Sequence, residues 1–145
     1  SIYQEVPNEY YNIPFGQAAL LKEGSDVTIV TYGAAVHWAL AVLNERKDIS
    51  ADLLDLRTLC PLDIESIYVS VEKTGKLIIL QEDSLFGGIA SDISAMVTEN
   101  RFEYLDAPIK RVASLETPIP FAKPLENGYL PKTRFAEVLN ELLAY

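Results

Sequence analysis

An α/β fold, with strands and helices alternating along the chain, is what this sequence predicts, and three observations carry it. Short β-branched and aliphatic runs, apolar on both faces, recur at 26–32, 51–56 and 76–81, as expected of strands buried in a parallel sheet. Segments with apolar residues at helical spacing separate them, at 34–47 and 64–73. The connections are short, and that alternation gives an open sheet with helices on both faces. At 145 residues the chain has the size of one domain, and 49% hydrophobic against 23% charged residues is a globular balance.

The order of elements follows from local signals. The apolar run 17–22, closed by Glu23-Gly24, predicts a first strand and turn. Val27-Thr28-Ile29-Val30-Thr31 predicts the next strand, ended by Gly33, and Val36, Ala39, Leu40, Val42 and Leu43 mark the helix after it. The strand at 51–56 runs into Arg57-Thr58-Leu59-Cys60-Pro61. Asp63 is placed to cap a helix over 64–73, with Ser66, Ser70 and Glu72 on its wet side and Gly75 as the stop. Leu77-Ile78-Ile79-Leu80 centres another strand, and Gly87-Gly88 opens a helix to about residue 100. A last strand at 109–113, a loop holding Pro118, Pro120, Pro124 and Pro131, and an amphipathic helix at 132–143 complete the chain.

Composition excludes several functions. The chain has 12 Lys and Arg against 21 Asp and Glu, a net charge of −9, so it lacks the basic face that nucleic-acid binding needs. No apolar run approaches the roughly 20 residues that span a bilayer, so no membrane partner is expected. Cys60 is the single cysteine, which excludes an internal disulfide and a structural zinc site and points to a reducing compartment. The start, Ser1-Ile2-Tyr3-Gln4, lacks an initiator Met, a basic region and an apolar region, so it is not a signal peptide. Residues 1–14, punctuated by Pro7 and Pro14, are expected to be a linker leading from something larger into a domain at 15–145.

No glycine-rich phosphate loop and no Gly-x-Ser-x-Gly elbow occurs. One His and one Cys leave almost nothing for a metal centre or a triad. His37 reads either as a proton carrier at a strand's carboxyl end or as a helix-face side chain packed beside Trp38. Without an orienting carboxylate nearby in sequence, the packed role is expected. Cys60, with Arg57 the nearest base, is expected to be an ordinary buried or half-buried thiol. Gly33, Arg57 and Gly87 fall after successive strands, where an open sheet binds ligands, so an anion or nucleotide site there is the alternative reading. Glu82 and Asp83 would repel a phosphate, and their expected role is to cap the next helix or pair with Arg57. The acidic residues from Glu99 to Asp106, and Glu137 and Glu141, are either a solvated surface or a face for a basic partner. The terminal Tyr145 suggests a docked end or a partner contact.

Six pieces occur in fixed order: Asp26 to Gly33, Asp55 to Leu59, Pro61-Leu62-Asp63, Ser70 to Lys76 with Gln81-Glu82, Gly87-Gly88, and Asp106-Ala107-Pro108. Together they resemble the transketolase C-terminal domain. More narrowly, they resemble the end of the β subunit of thiamine-dependent 2-oxoacid dehydrogenases, of the branched-chain (2-oxoisovalerate) or pyruvate type, from about Tyr10 to Tyr145. The resemblance implies a three-layer α/β/α sandwich around a five-stranded mixed sheet, mostly parallel, whose first strand is antiparallel.

It also implies a parent enzyme that decarboxylates a 2-oxoacid on thiamine diphosphate and magnesium and passes the acyl group to lipoyl. The branched-chain substrate is preferred over pyruvate. Other domains hold the cofactor there, so this stretch carries no catalytic, cofactor-binding or metal-ligating residue and is expected to be inactive alone. Its implied roles are assembly with the other domains or the α subunit, in a homodimeric or α2β2 enzyme, and docking onto the peripheral binding domain of the dihydrolipoyl acyltransferase. Asp106 and the Tyr145 carboxylate fall where relatives contact that basic partner, and an acidic patch would steer it. Where some branched-chain relatives have His before the glutamate matching Glu82, this chain has Gln81. The implied location is the bacterial cytoplasm, or the mitochondrial matrix in a eukaryote.

Overall fold

A computed structural model describes residues 5–145, and among these are five strands, five α-helices and one short 3-10 helix (Phe102–Tyr104). The strands are β1 (Ala19–Lys22), β2 (Val27–Thr31), β3 (Ala51–Asp55), β4 (Leu77–Ser84) and β5 (Lys110–Ser114). They form one sheet in the order β1-β3-β2-β4-β5. β1 runs antiparallel to β3, while β3, β2, β4 and β5 are parallel, which is the mixed sheet expected. The expected linker over 1–14 falls partly outside the described residues; residues 5–18 contain neither helix nor strand.

The apolar runs are continuous because consecutive side chains enter different cores. Val27, Ile29, Leu53, Ile78 and Leu80 face one side, under α1 (Ala34–Glu45) and α5 (Lys132–Leu143). Val30, Leu54, Leu77 and Ile79 face the other, under α2 (Ile64–Thr74) and α3 (Ile89–Arg101). Alternation along a pleated strand produces this division, and it makes the molecule a three-layer sandwich. α2 is bounded as expected: Asp63 accepts the Ser66 amide at 3.2 Å, and Gly75 closes the helix at φ 70°. No helix among the described residues is long and apolar enough to cross a membrane.

Four local expectations are corrected. Ser70 is buried, not on a wet face, because its hydroxyl donates to the buried Asp52 carboxylate at 2.6 Å. The proline-rich loop contains a short helix, α4 (Lys123–Tyr129), since Pro124 in a first turn loses no helical hydrogen bond. Cys60 is exposed. β4 continues through Glu82 and Asp83 to Ser84, so neither acid caps α3.

The buried Gln81 performs that linkage instead. Its Oε1 accepts the Ala90 amide at 2.9 Å, and its Nε2 donates to the Ser84 carbonyl at 2.6 Å. Gly88 leaves room for it, because a Cβ there would run into Gln81 Nε2 and the Ser84 carbonyl. Gly88→Ala is therefore expected to dislodge Gln81 and lower stability by about 1–3 kcal/mol, the cost of leaving buried polar groups unpaired. Urea unfolding checks it; an unchanged midpoint would mean that the loop relaxes freely.

Candidate functional site

Asp106 and Tyr145, distant in sequence, line one surface groove. Its floor comes from Ser94 and Thr98 of α3, the turn at Phe102, the connection Leu105 to Ile109, and Arg111 of β5. The groove encloses about 560 Å³. Each side has its own support. Arg101 lies 4.4 Å over the Tyr68 ring and pairs with Glu72, which holds the end of α3 against α2. The Asp106 amide donates to the Gly75 carbonyl at 2.8 Å, and the Asp106 carboxylate lies over Gly75, where a Cβ would strike it. The last turn of α5 is held by cations: Lys76 donates to the Leu143 carbonyl at 3.4 Å, Lys110 pairs with Glu141 at 3.2 Å, and Arg46 donates to Asn140 at 2.6 Å. Positive charge at a helix carboxyl end is favourable.

The groove joins exposed apolar surface (Phe102, Pro108 and Tyr145) to the Asp106 carboxylate, which suits a partner with a basic side chain beside an apolar one. Phe102, Leu105 and Ile109 were not singled out from sequence. The only signal was that Leu105 and Ile109 flank the Asp106-Ala107-Pro108 piece.

The residues of the alternative anion site divide. Gly33 and Arg57 line a larger cavity of about 1080 Å³, at the carboxyl ends of β2 and β3. Its walls include His37 and Asp55, and the chain at Tyr11, Ile13 and Phe15 crosses it. Gly87, after β4, is not part of it. Arg57 has a left-handed backbone, φ 57°, secured by its amide donating to Asp55 Oδ1 at 3.1 Å. The surroundings are acidic: burial, then the nearby Asp83 and Glu82 carboxylates, push the Tyr32 hydroxyl above the usual tyrosine range. Arg57 makes no ion pair with Glu82 or Asp83.

The family model described as Transketolase, C-terminal domain matches residues 16–134. The chain belongs to the transketolase C-terminal domain family. It is 47% identical over 143 residues to an acetoin:2,6-dichlorophenolindophenol oxidoreductase subunit beta of Bacillus subtilis, covering 96% of this chain and 42% of that protein. It is 46% identical over 133 residues to the pyruvate dehydrogenase E1 component subunit beta of the same organism, covering 90% and 41%. A mitochondrial 2-oxoisovalerate dehydrogenase subunit beta of Dictyostelium discoideum matches at 42% over 134 residues, covering 90% and 36%. Among solved structures, a split gene transketolase, an inactive beta4 tetramer, superposes with a TM-score of 0.78 at 27% identity, covering 97% of this chain and 46% of that one. The chain thus spans about two fifths of the curated relatives it matches.

Within this transketolase C-terminal domain the residues do not fit thiamine diphosphate and magnesium. Among the described residues no three His, Cys, Asp or Glu side chains cluster so as to hold a metal ion. The carboxyl edge of the sheet meets a diphosphate with Asp55, Glu82 and Asp83 and with no glycine-rich loop.

Proposed function

We propose that residues 15–145 are the last domain of the β subunit of a thiamine-dependent 2-oxoacid dehydrogenase, joined to the rest by a linker over 1–14. The domain serves assembly and docking, and the parent decarboxylates a 2-oxoacid and acylates lipoyl groups. Thiamine diphosphate and magnesium are held by other parts of that enzyme, with the α subunit as assembly partner. The setting is the bacterial cytoplasm, or the mitochondrial matrix in a eukaryote. Relatives named for acetoin, pyruvate and 2-oxoisovalerate match at 47, 46 and 42% identity, so the branched-chain preference has no support over pyruvate from this domain.

One observation carries the docking role: the Asp106 carboxylate and Tyr145 open onto the same apolar groove. The basic peripheral binding domain of a dihydrolipoyl acyltransferase is the occupant this chemistry suits. Calorimetric titration of the assembled enzyme with that domain tests it. Asp106→Ala and deletion of Tyr145 are each expected to weaken binding about tenfold, the effect of a central contact, and raised salt to weaken it further. Both variants are expected to keep their circular dichroism spectrum. Unchanged affinity in both removes the docking role and leaves assembly.

A further inference from the structure

The groove that Asp106 and Tyr145 share is assembled from both faces of the sheet. Ile109 packs with the α2–α3 core and, together with Arg111, lines the groove. Val112 belongs to the core under α1 and α5. Side chains alternate along a strand, so Lys110, between Ile109 and Arg111, points to the α5 side. It is the first residue of β5, an edge strand of the sheet. Tyr145 ends the helix that covers that side, yet it lines the groove on the other. The last residue of the chain is thus carried from one layer to the other at the corner where β5 begins.

Two polar contacts made by β5 fix that corner. On the groove side, Arg111 Nη1 donates to Ser91 Oγ of α3 at 2.6 Å. On the α5 side, Lys110 Nζ pairs with Glu141 Oε2 at 3.2 Å. Among the described residues neither Lys110 nor Glu141 has another ion partner. Glu141 stands four residues before Tyr145, one turn back on the same face of the helix. Ala144 keeps helical backbone angles and its amide donates to the Asn140 carbonyl at 3.2 Å, so the turn carries on to Tyr145. A continuous series, Ser91 to Arg111, Lys110 and Glu141, therefore joins the floor of the groove to the turn that presents the terminal aromatic.

We propose that Lys110 is a positioning residue for docking: its ion pair with Glu141 sets where Tyr145 stands relative to Asp106. This rests on the reading that Asp106 and Tyr145 receive the basic domain of the acyltransferase. Lys110 does not itself line the groove, so it acts on the partner only through the turn it holds. Asp106 precedes Lys110 by four residues on one wall, and Tyr145 follows Glu141 by four on the other. A partner that engages both groups binds best when their separation is already fixed, because ordering them on binding costs affinity. The Lys110 and Glu141 side chains are 28% and 56% exposed, and a pair that open adds little to the stability of the fold. Its effect is therefore expected in the register of the groove rather than in the Tm.

Exchanging the two charges tests this, with the assembled enzyme titrated calorimetrically against the peripheral binding domain well below the Tm of each variant. Lys110→Glu and Glu141→Lys are each expected to weaken binding about three- to fivefold, the affinity equivalent of an exposed ion pair. The double variant restores the pair with its polarity reversed and is expected to bind within about twofold of wild type. Surface charge alone gives the opposite sign for Lys110→Glu, because a more acidic face attracts a basic partner. Tighter or unchanged binding in Lys110→Glu overturns the proposal, and so does a double variant no better than the single ones. In an enzyme lacking Tyr145, Lys110→Glu is expected to have no further effect, since it acts through that residue. A loss that persists there would make Lys110 a direct contact and also overturns the proposal. Failure of the docking reading shows separately, as unchanged affinity when Tyr145 is deleted from the otherwise wild-type enzyme.

Discussion

Asp52→Ala is expected to lower the free energy of unfolding by about 2–4 kcal/mol, because it orphans a chain of buried donors. Asp52 is 1% exposed near the start of β3. Its Oδ1 accepts Lys73 Nζ at 2.7 Å and the Gly24 amide at 2.8 Å, and its Oδ2 accepts the Ser70 hydroxyl at 2.6 Å. With its proton committed there, Ser70 accepts from Thr28 across 2.6 Å, and Thr28 then accepts from Thr74 across 2.8 Å. The Ser70 and Thr28 protons point towards one carboxylate, and Thr74 shares its proton between Thr28 and the Lys76 carbonyl at 3.2 Å. The series can reverse and end with Thr74 donating to the Lys76 carbonyl, but alanine leaves the Gly24 amide without its acceptor and Ser70 without a partner at position 52, whereas Asn keeps an acceptor for Gly24 and presents its amide to Ser70. Asp52→Asn should therefore cost about half as much. Lys73, which is partly exposed, can turn to water in either variant.

The pH dependence separates the two roles of that carboxylate. Burial by itself raises the Asp52 pKa, but hydrogen bonds from Lys73, Ser70 and the Gly24 amide outweigh it, and the group titrates below the ordinary range. Asp63 behaves alike, with burial opposed by Ser66 and the Ala18 amide. A carboxyl depressed in the folded state stabilises above its unfolded pKa of about 4 and loses that contribution as pH falls through the folded value. Stability should therefore drop below about pH 5, and Asp52→Asn should fall less steeply while Asp63 keeps part of the slope. Urea midpoints at pH 7 and in acid read both effects; parallel slopes in wild type and Asp52→Asn would show that Asp52 contributes no linkage.

Strand positions were legible because burial on both faces writes itself as unbroken aliphatic runs such as Leu77-Ile78-Ile79-Leu80, and the caps of α2 were legible because Asp63 carries its acceptor in its own side chain and Gly75, without a Cβ, takes the left-handed stop freely. Ser70 was misread for a reason of the same kind. Helical periodicity places a serine outward, and only the tertiary pairing with Asp52 and Thr28, from two different strands, makes its burial favourable. Gln81 was passed over because a glutamine that satisfies two backbone groups across a strand–helix junction has no local signature. α4 was hidden by Pro124 and the prolines on either side of it, and by having no apolar face turned to this chain's own core. The grouping of Asp106 with Tyr145 came from resemblance alone, since periodicity cannot join a turn after α3 to the end of α5.

Phe135→Ala and Leu142→Ala, both on α5, are expected to differ in function although both cost stability. Phe135, Leu139 and Leu142 are fully or almost fully buried on one stripe of the helix and fill the core shared with α1. Truncating Phe135 leaves a cavity the size of a ring, worth about 3–5 kcal/mol, and in a domain of this size about 10–16 °C in Tm. Leu142→Ala should cost about 2–4 kcal/mol. Their distances from the groove differ more than their costs. Phe135 stands ten residues before Tyr145, roughly 15 Å along the helix, with Lys110, Arg46 and Lys76 anchoring the intervening last turn. Leu142 lies within that turn, and its carbonyl accepts the Tyr145 amide at 3.4 Å. Loss of its side chain loosens the turn that presents Tyr145, so under the proposed docking role Leu142→Ala should weaken acyltransferase binding about as much as deleting Tyr145 does. Phe135→Ala, measured well below its lowered Tm, should bind as tightly as wild type. Equal weakening in both variants would mean that binding follows overall stability, and the terminal aromatic would then have no docking role of its own.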